Sequence, residues 1–138
     1  MSARRAAAAA TVAALAATFA LVLGGTSAVG SPAAGPEKVP NRLLVRADEY
    51  DLTLSRGEIG PGPALIQLVN DGEDAHDLQV RLQKGGVTHQ VAEVAPGDYG
   101  TVELRLKKGS RYQLWCSLQN HRLLGMEAKL RVKRKPVE

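Results

Sequence analysis

The chain has 138 residues, with 18 lysines and arginines against 14 aspartates and glutamates, three histidines and one cysteine. Its formal charge of +4 includes Arg4 and Arg5; without them 16 basic residues face 14 acidic ones, too even a balance to argue for a nucleic-acid partner. A single cysteine excludes an intrachain disulfide, so the Cys116 thiol is buried and inert, paired with another chain, or functional.

In chain order, Arg4 and Arg5 precede an alanine-rich apolar run from Ala6 to Leu23, broken only by Thr11 and Thr18 and followed by the small residues Thr26-Ser27-Ala28. This is the layout of a cleaved secretory signal over residues 1–28. Because the run is close to the ~20 residues that cross a bilayer, an uncleaved N-terminal anchor is the alternative. No cysteine follows the run, which excludes a lipoprotein anchor. Pro32, Gly35, Pro36 and Pro40 then mark residues 29–40 as an extended linker. Residues 41–138 are predicted to form one domain with a modest core.

The apolar period beyond the linker is two. Leu52 and Leu54, then Leu78, Val80 and Leu82, then Val102, Leu104 and Leu106, then Ala128, Leu130 and Val132 alternate with polar neighbours, as half-buried strands do. Gly60-Pro61-Gly62-Pro63, Gly85-Gly86, Pro96-Gly97 and Lys107-Lys108-Gly109 separate the runs as turns. No helical stripe occurs after the leader. The pattern predicts an all-β protein, an antiparallel β-sandwich of about seven or eight strands.

Strand parity places candidate ligands at one end of that sandwich. His76 shares the inward face of Leu78, Val80 and Leu82, and Cys116 continues the row of Tyr112 and Leu114. The segment from Ser117 to Gly125, which carries His121, must leave the sheet and return; Met126 stands one step before the row of Ala128, Leu130 and Val132. One thiolate, two imidazoles and one thioether are the ligand set of a mononuclear blue-copper site, the soft sulfurs suiting Cu(I) and the imidazoles both oxidation states. The competing readings are a surface histidine in an acidic stretch for His76, an exposed loop residue for His121 and a gap-filling core side chain for Met126. His89 has no companion motif and reads as a solvent-facing strand residue.

Asn70-Asp71-Gly72-Glu73-Asp74-Ala75-His76-Asp77-Leu78 resembles the first-histidine loop of the cupredoxins. Tyr112-Gln113-Leu114-Trp115-Cys116, with His121 and Met126 following, resembles their C-terminal ligand loop, at a spacing similar to that of rusticyanin-like and related bacterial members. The resemblance covers most of the chain beyond the leader. It implies Greek-key topology and one copper ion cycling between Cu(II) and Cu(I), held by His76, Cys116 and His121 as a strong trigonal set with Met126 as a longer axial ligand. The chain departs from the family pattern in two places, the second-histidine loop and the residue after the first histidine. Gln119 and Asn120 stand where relatives often have Pro-Gly, leaving Asn120 as the residue suited to the left-handed region. Asp77 stands where relatives often have Asn; it has no amide to donate, but Ser117 can offer its hydroxyl in return.

The expected function is therefore that of an extracytoplasmic, monomeric electron carrier and not an enzyme, since the residues suggest no substrate pocket or acid–base constellation. Its partner would be a redox protein that meets an exposed His121 across an apolar rim of Leu123 and Leu124, with no contact to nucleic acid and none to a membrane except through an uncleaved anchor. Trp115, of opposite parity to Cys116, points away from the inward row. A copper carrier or storage module that hands the ion to an acceptor protein is the main alternative. A metal-free cupredoxin-like interaction domain is the third, and the presence of all four ligand types argues against it.

Overall fold

Alternation of apolar and polar residues builds two facing sheets. The computed structural model describes residues 38–135, so the leader and residues 29–37 of the linker lie outside the described residues. Regular structure starts with β1 (Asn41–Asp48), followed by β2 (Asp51–Leu54), β3 (Glu58–Ile59), β4 (Gly62–Asn70), β5 (His76–Leu82), β6 (Thr88–Val94), β7 (Tyr99–Leu106), β8 (Arg111–Trp115) and β9 (Glu127–Val132). Among the described residues there is no helix.

One sheet has the order β2-β1-β4-β7 and the other β3-β9-β8-β5-β6. The chain crosses repeatedly between the layers, as a Greek-key sandwich requires. Most pairings are antiparallel, but β1 runs parallel to β4 and β3 parallel to β9, so both sheets are mixed. Sequence periodicity fixes which face a strand buries, and it carries no information on strand direction.

Every inward row named from the sequence faces the core, joined by three more strands. Leu43, Val45 and Ala47 of β1, Ala64, Ile66 and Leu68 of β4, and Val91 and Val94 of β6 are buried with Leu78, Val80, Leu104, Leu106, Leu114, Leu130 and Val132. Burying one such leucine or isoleucine contributes roughly 1.5–3 kcal/mol. The Gly-Pro-Gly-Pro stretch is only half a turn, because β4 starts inside it, with Gly62 opposite Leu106 and Pro63 opposite Arg105. A proline at a strand's beginning gives up an amide that the ladder can spare. His89 is half-buried opposite Val80, not solvent-facing as its isolation suggested.

Two local devices close the sandwich. The Tyr112 hydroxyl accepts a hydrogen bond from the Lys107 amide at 3.1 Å, pinning the β7–β8 turn. Gly100 lets β7 approach β6 closely, since a Cβ there would collide with the side chain of Val91.

Candidate metal centre

His76 opens β5 and is fully buried. The loop before it is closed by Asn70, whose buried amide donates to the carbonyls of Asp74 (2.8 Å) and Val94 (2.9 Å) and whose Oδ1 accepts from the Gly72 amide (2.9 Å). A register shift against β6 between His76 and Leu78 locally re-aims the strand.

Cys116 lies one residue beyond β8 and is also fully buried. Its amide donates to the Met126 carbonyl at 3.1 Å, and the Met126 amide donates to the His121 carbonyl at 3.1 Å, so three of the sequence-predicted ligands are tied by backbone bonds. Between them the chain winds through successive turns, with the His121 amide on Leu118 O and the Gly125 amide on Arg122 O, each at 3.1 Å. Gln119, not Asn120, takes the left-handed conformation, at φ 45°, and Gly125 at φ 107° turns the chain back toward β9. Met126 is fully buried in the core cluster that contains Cys116.

Three donor atoms converge. Nδ1 of His76 lies 3.2 Å from Nδ1 of His121, and Sγ of Cys116 lies 4.0 Å from the first and 3.5 Å from the second. The point equidistant from the corners of that triangle is roughly 2.1 Å from each, close to the ~2.0–2.1 Å of a zinc–imidazole bond and slightly under the ~2.3 Å of a zinc–thiolate bond. The group is thus suited to hold a first-row metal ion. Two imidazole nitrogens and a sulfur facing one buried point offer lone pairs with few protons to share, which is the chemistry of a ligand set. Burial pushes the Cys116 thiol above its ordinary pKa; backbone amides oppose this and the neighbouring Asp77 carboxylate adds to it, so an entering cation must displace a proton.

The Asp77–Ser117 brace forms as expected. Asp77 accepts the Ser117 amide (2.5 Å), the Ser117 hydroxyl and the Gln79 side-chain amide (2.8 Å), joining the first-histidine loop to the cysteine segment. Burial works against its ionisation, but the Ser117 hydroxyl and amide and Gln79 outweigh that cost and hold its pKa below the usual carboxylate value.

His121 is 3% exposed, which corrects the expectation of an exposed ring. The Tyr50 ring packs over it with centroids 4.8 Å apart, while Leu123 and Leu124 stand out in solvent beside it at 86% and 59% exposure. Trp115 points to the outer face as parity required, with the guanidinium groups of Arg122 and Arg81 4.6 Å and 5.5 Å from its ring centroid. Glu49 and Tyr50, adjacent in the β1–β2 corner, went unnoticed in the sequence: Glu49 Oε1 reaches His76 Nε2 at 3.4 Å. No local motif marks them, because their partners are 27 and 71 residues away.

No protein-family model matches the sequence, and no curated protein matches it either. Solved structures do match. Auracyanin B superposes with a TM-score of 0.54 at 17% identity, covering 67% of this chain and 88% of that one. Auracyanin A, a "blue" copper protein from the green thermophilic photosynthetic bacterium Chloroflexus aurantiacus, gives 0.53 at 14% identity over 67% of this chain and 98% of its own. The azurin Az-iso2 of Methylomonas sp. strain J gives 0.52 at 12% identity, with 67% and 97% covered. The fold is that of the cupredoxins.

Proposed function

We propose that this chain is a mononuclear blue-copper protein of the extracytoplasmic space that carries single electrons between partner proteins, with His76, Cys116 and His121 as the strong ligands and Met126 as the weak axial one. The observation that carries the reading is the buried triangle of two imidazole Nδ1 atoms and one sulfur, 3.2 to 4.0 Å on a side. A trigonal His₂Cys set with a distant thioether is the donor arrangement of blue copper and not of a four-coordinate structural zinc site. Bound copper would supply a one-electron Cu(II)/Cu(I) couple.

The protein's own part is to hold the donors still. Three come from or beside different strands of one sheet, and the backbone bonds from Cys116 to Met126 and from Met126 to His121 fix their spacing. The Asp77–Ser117 brace locks the two loops together. A frame that does not rearrange between oxidation states suits a carrier, and we assign no catalytic reaction. The exposed side chains of Leu123 and Leu124 beside His121 offer an apolar rim for brief docking. Residues 1–28 would direct export as a cleaved signal, or, if retained as an N-terminal anchor, would hold the domain at the membrane through the linker of residues 29–40.

The test is the visible and electron paramagnetic resonance spectrum of the purified domain with one equivalent of Cu(II). An intense thiolate-to-copper band, lost in Cys116→Ser, is expected. A colourless wild-type copper complex refutes the reading.

A further inference from the structure

The corner between β1 and β2 supplies a side chain that the ligand motif does not include. Glu49 extends its carboxylate over the first-histidine loop, where Oε1 accepts the amides of Glu73 at 2.7 Å and Asp74 at 2.9 Å and lies 3.4 Å from Nε2 of the buried His76. The two nitrogens of an imidazole are distinct, and the hydrogen bond made by one decides which is free to bind a metal. With the Nε2 proton donated to Glu49, the lone pair of His76 sits on Nδ1, the atom that faces His121 Nδ1 and the Cys116 sulfur. Gly72 leaves room for this approach, since a Cβ there would collide with the Glu49 carboxylate.

We propose that Glu49 is a positioning residue of the metal centre, holding His76 in the tautomer that presents Nδ1 and placing a negative charge one imidazole ring behind the ion. The proposal rests on the blue-copper reading, although the tautomer itself requires no metal. A carboxylate behind a ligand imidazole raises the basicity of the ring, which favours Cu(II) over Cu(I). The competing account is a loop clamp alone, in which the bonds to Glu73 and Asp74 order the loop and the ring is indifferent to Glu49.

Long-range proton–nitrogen NMR of the metal-free protein reads the tautomer directly. The wild type is expected to show the Nε2–H form at His76, Glu49→Gln to keep it because the amide oxygen still accepts, and Glu49→Ala to give a mixture. Gly72→Ala retains the charge but pushes the flexible carboxylate aside, so it should also give a mixture; it carries the test if Glu49→Ala fails to fold. In the copper-loaded protein, Glu49→Gln should lower Cu(II) affinity relative to Cu(I) about tenfold, within the ~10–100-fold range for such partners, which is a rise in potential of ~59 mV. An Nδ1–H tautomer in the wild type, or a tautomer unmoved in both Glu49→Ala and Gly72→Ala, overturns the positioning role. An unchanged Cu(II)/Cu(I) affinity ratio in Glu49→Gln overturns the role of the charge. A wild-type protein that takes up no copper refutes the proposed function and the charge effect with it, and the tautomer measurement still decides whether Glu49 orients His76.

Discussion

Asn70 makes three side-chain hydrogen bonds from a fully buried position, and replacing it by alanine should show how far the first-histidine loop depends on one residue. A typical hydrogen bond contributes about 1 kcal/mol net, and a buried acceptor left dry costs a further ~1–3 kcal/mol. The bond to Val94 O is buried, while those to Asp74 O and from Gly72 N are partly so and can be replaced in part by water. Asn70→Ala should therefore cost about 3 kcal/mol, read as a shift of the urea midpoint of the metal-free protein at constant m-value. Asn70→Asp sharpens the test. It keeps the acceptor for Gly72 but turns a carboxylate toward two carbonyl oxygens, so its pKa is raised on folding. A raised carboxyl pKa means a folded state favoured by protonation: the deficit against wild type should be largest at pH 7 and shrink as the pH falls through the raised value. A loss below 1 kcal/mol for Asn70→Ala, or a deficit of Asn70→Asp that does not change with pH, would refute this account of the loop.

Asp77→Asn should raise the reduction potential by removing a negative charge beside a ligand, with the copper spectrum kept, as protein-film voltammetry would show; it should also cost about 1 kcal/mol through weaker bonds to Ser117. Because the folded pKa of Asp77 is depressed, its contribution is present above the ordinary carboxylate value of about 3.9 and fades as the pH falls through the folded one. The stability gap between the two proteins should therefore close in acid. Tyr50→Ala uncovers His121 and should speed electron exchange with a small inorganic complex severalfold, whereas an unchanged rate would place the electron's exit elsewhere. Leu123→Lys should slow exchange with a protein partner and leave the spectrum intact, since the side chain stands in solvent. Gly100→Ala should destabilise by about 1–3 kcal/mol through overpacking against Val91, measurable by thermal unfolding.

The period-two rows of Leu78 to Leu82, Val102 to Leu106 and Ala128 to Val132 were legible in the sequence because burial of one face imposes alternation on any strand. His76 and Cys116 were placed correctly on the inward face for the same reason: parity is a local property, counted along the chain. The Asp77–Ser117 contact followed from a family resemblance that brought two loops together. Parallel pairing of β1 with β4 was not legible, since the period is the same for either strand direction. Nor was the left-handed residue in the ligand loop: Asn120 has the better intrinsic preference, but the succession of turns that returns Met126 to the sheet puts φ 45° at Gln119. The burial of His121 and the carboxylate behind His76 depended on the β1–β2 corner folding over the site, which sets Tyr50 on one ring and Glu49 on the other. Residues far apart in the chain carry no shared period or spacing, so only tertiary structure decides which of them meet. The sequence determined the donor chemistry and the face on which it lies; the packing of the corner decided how the two histidines are covered and held.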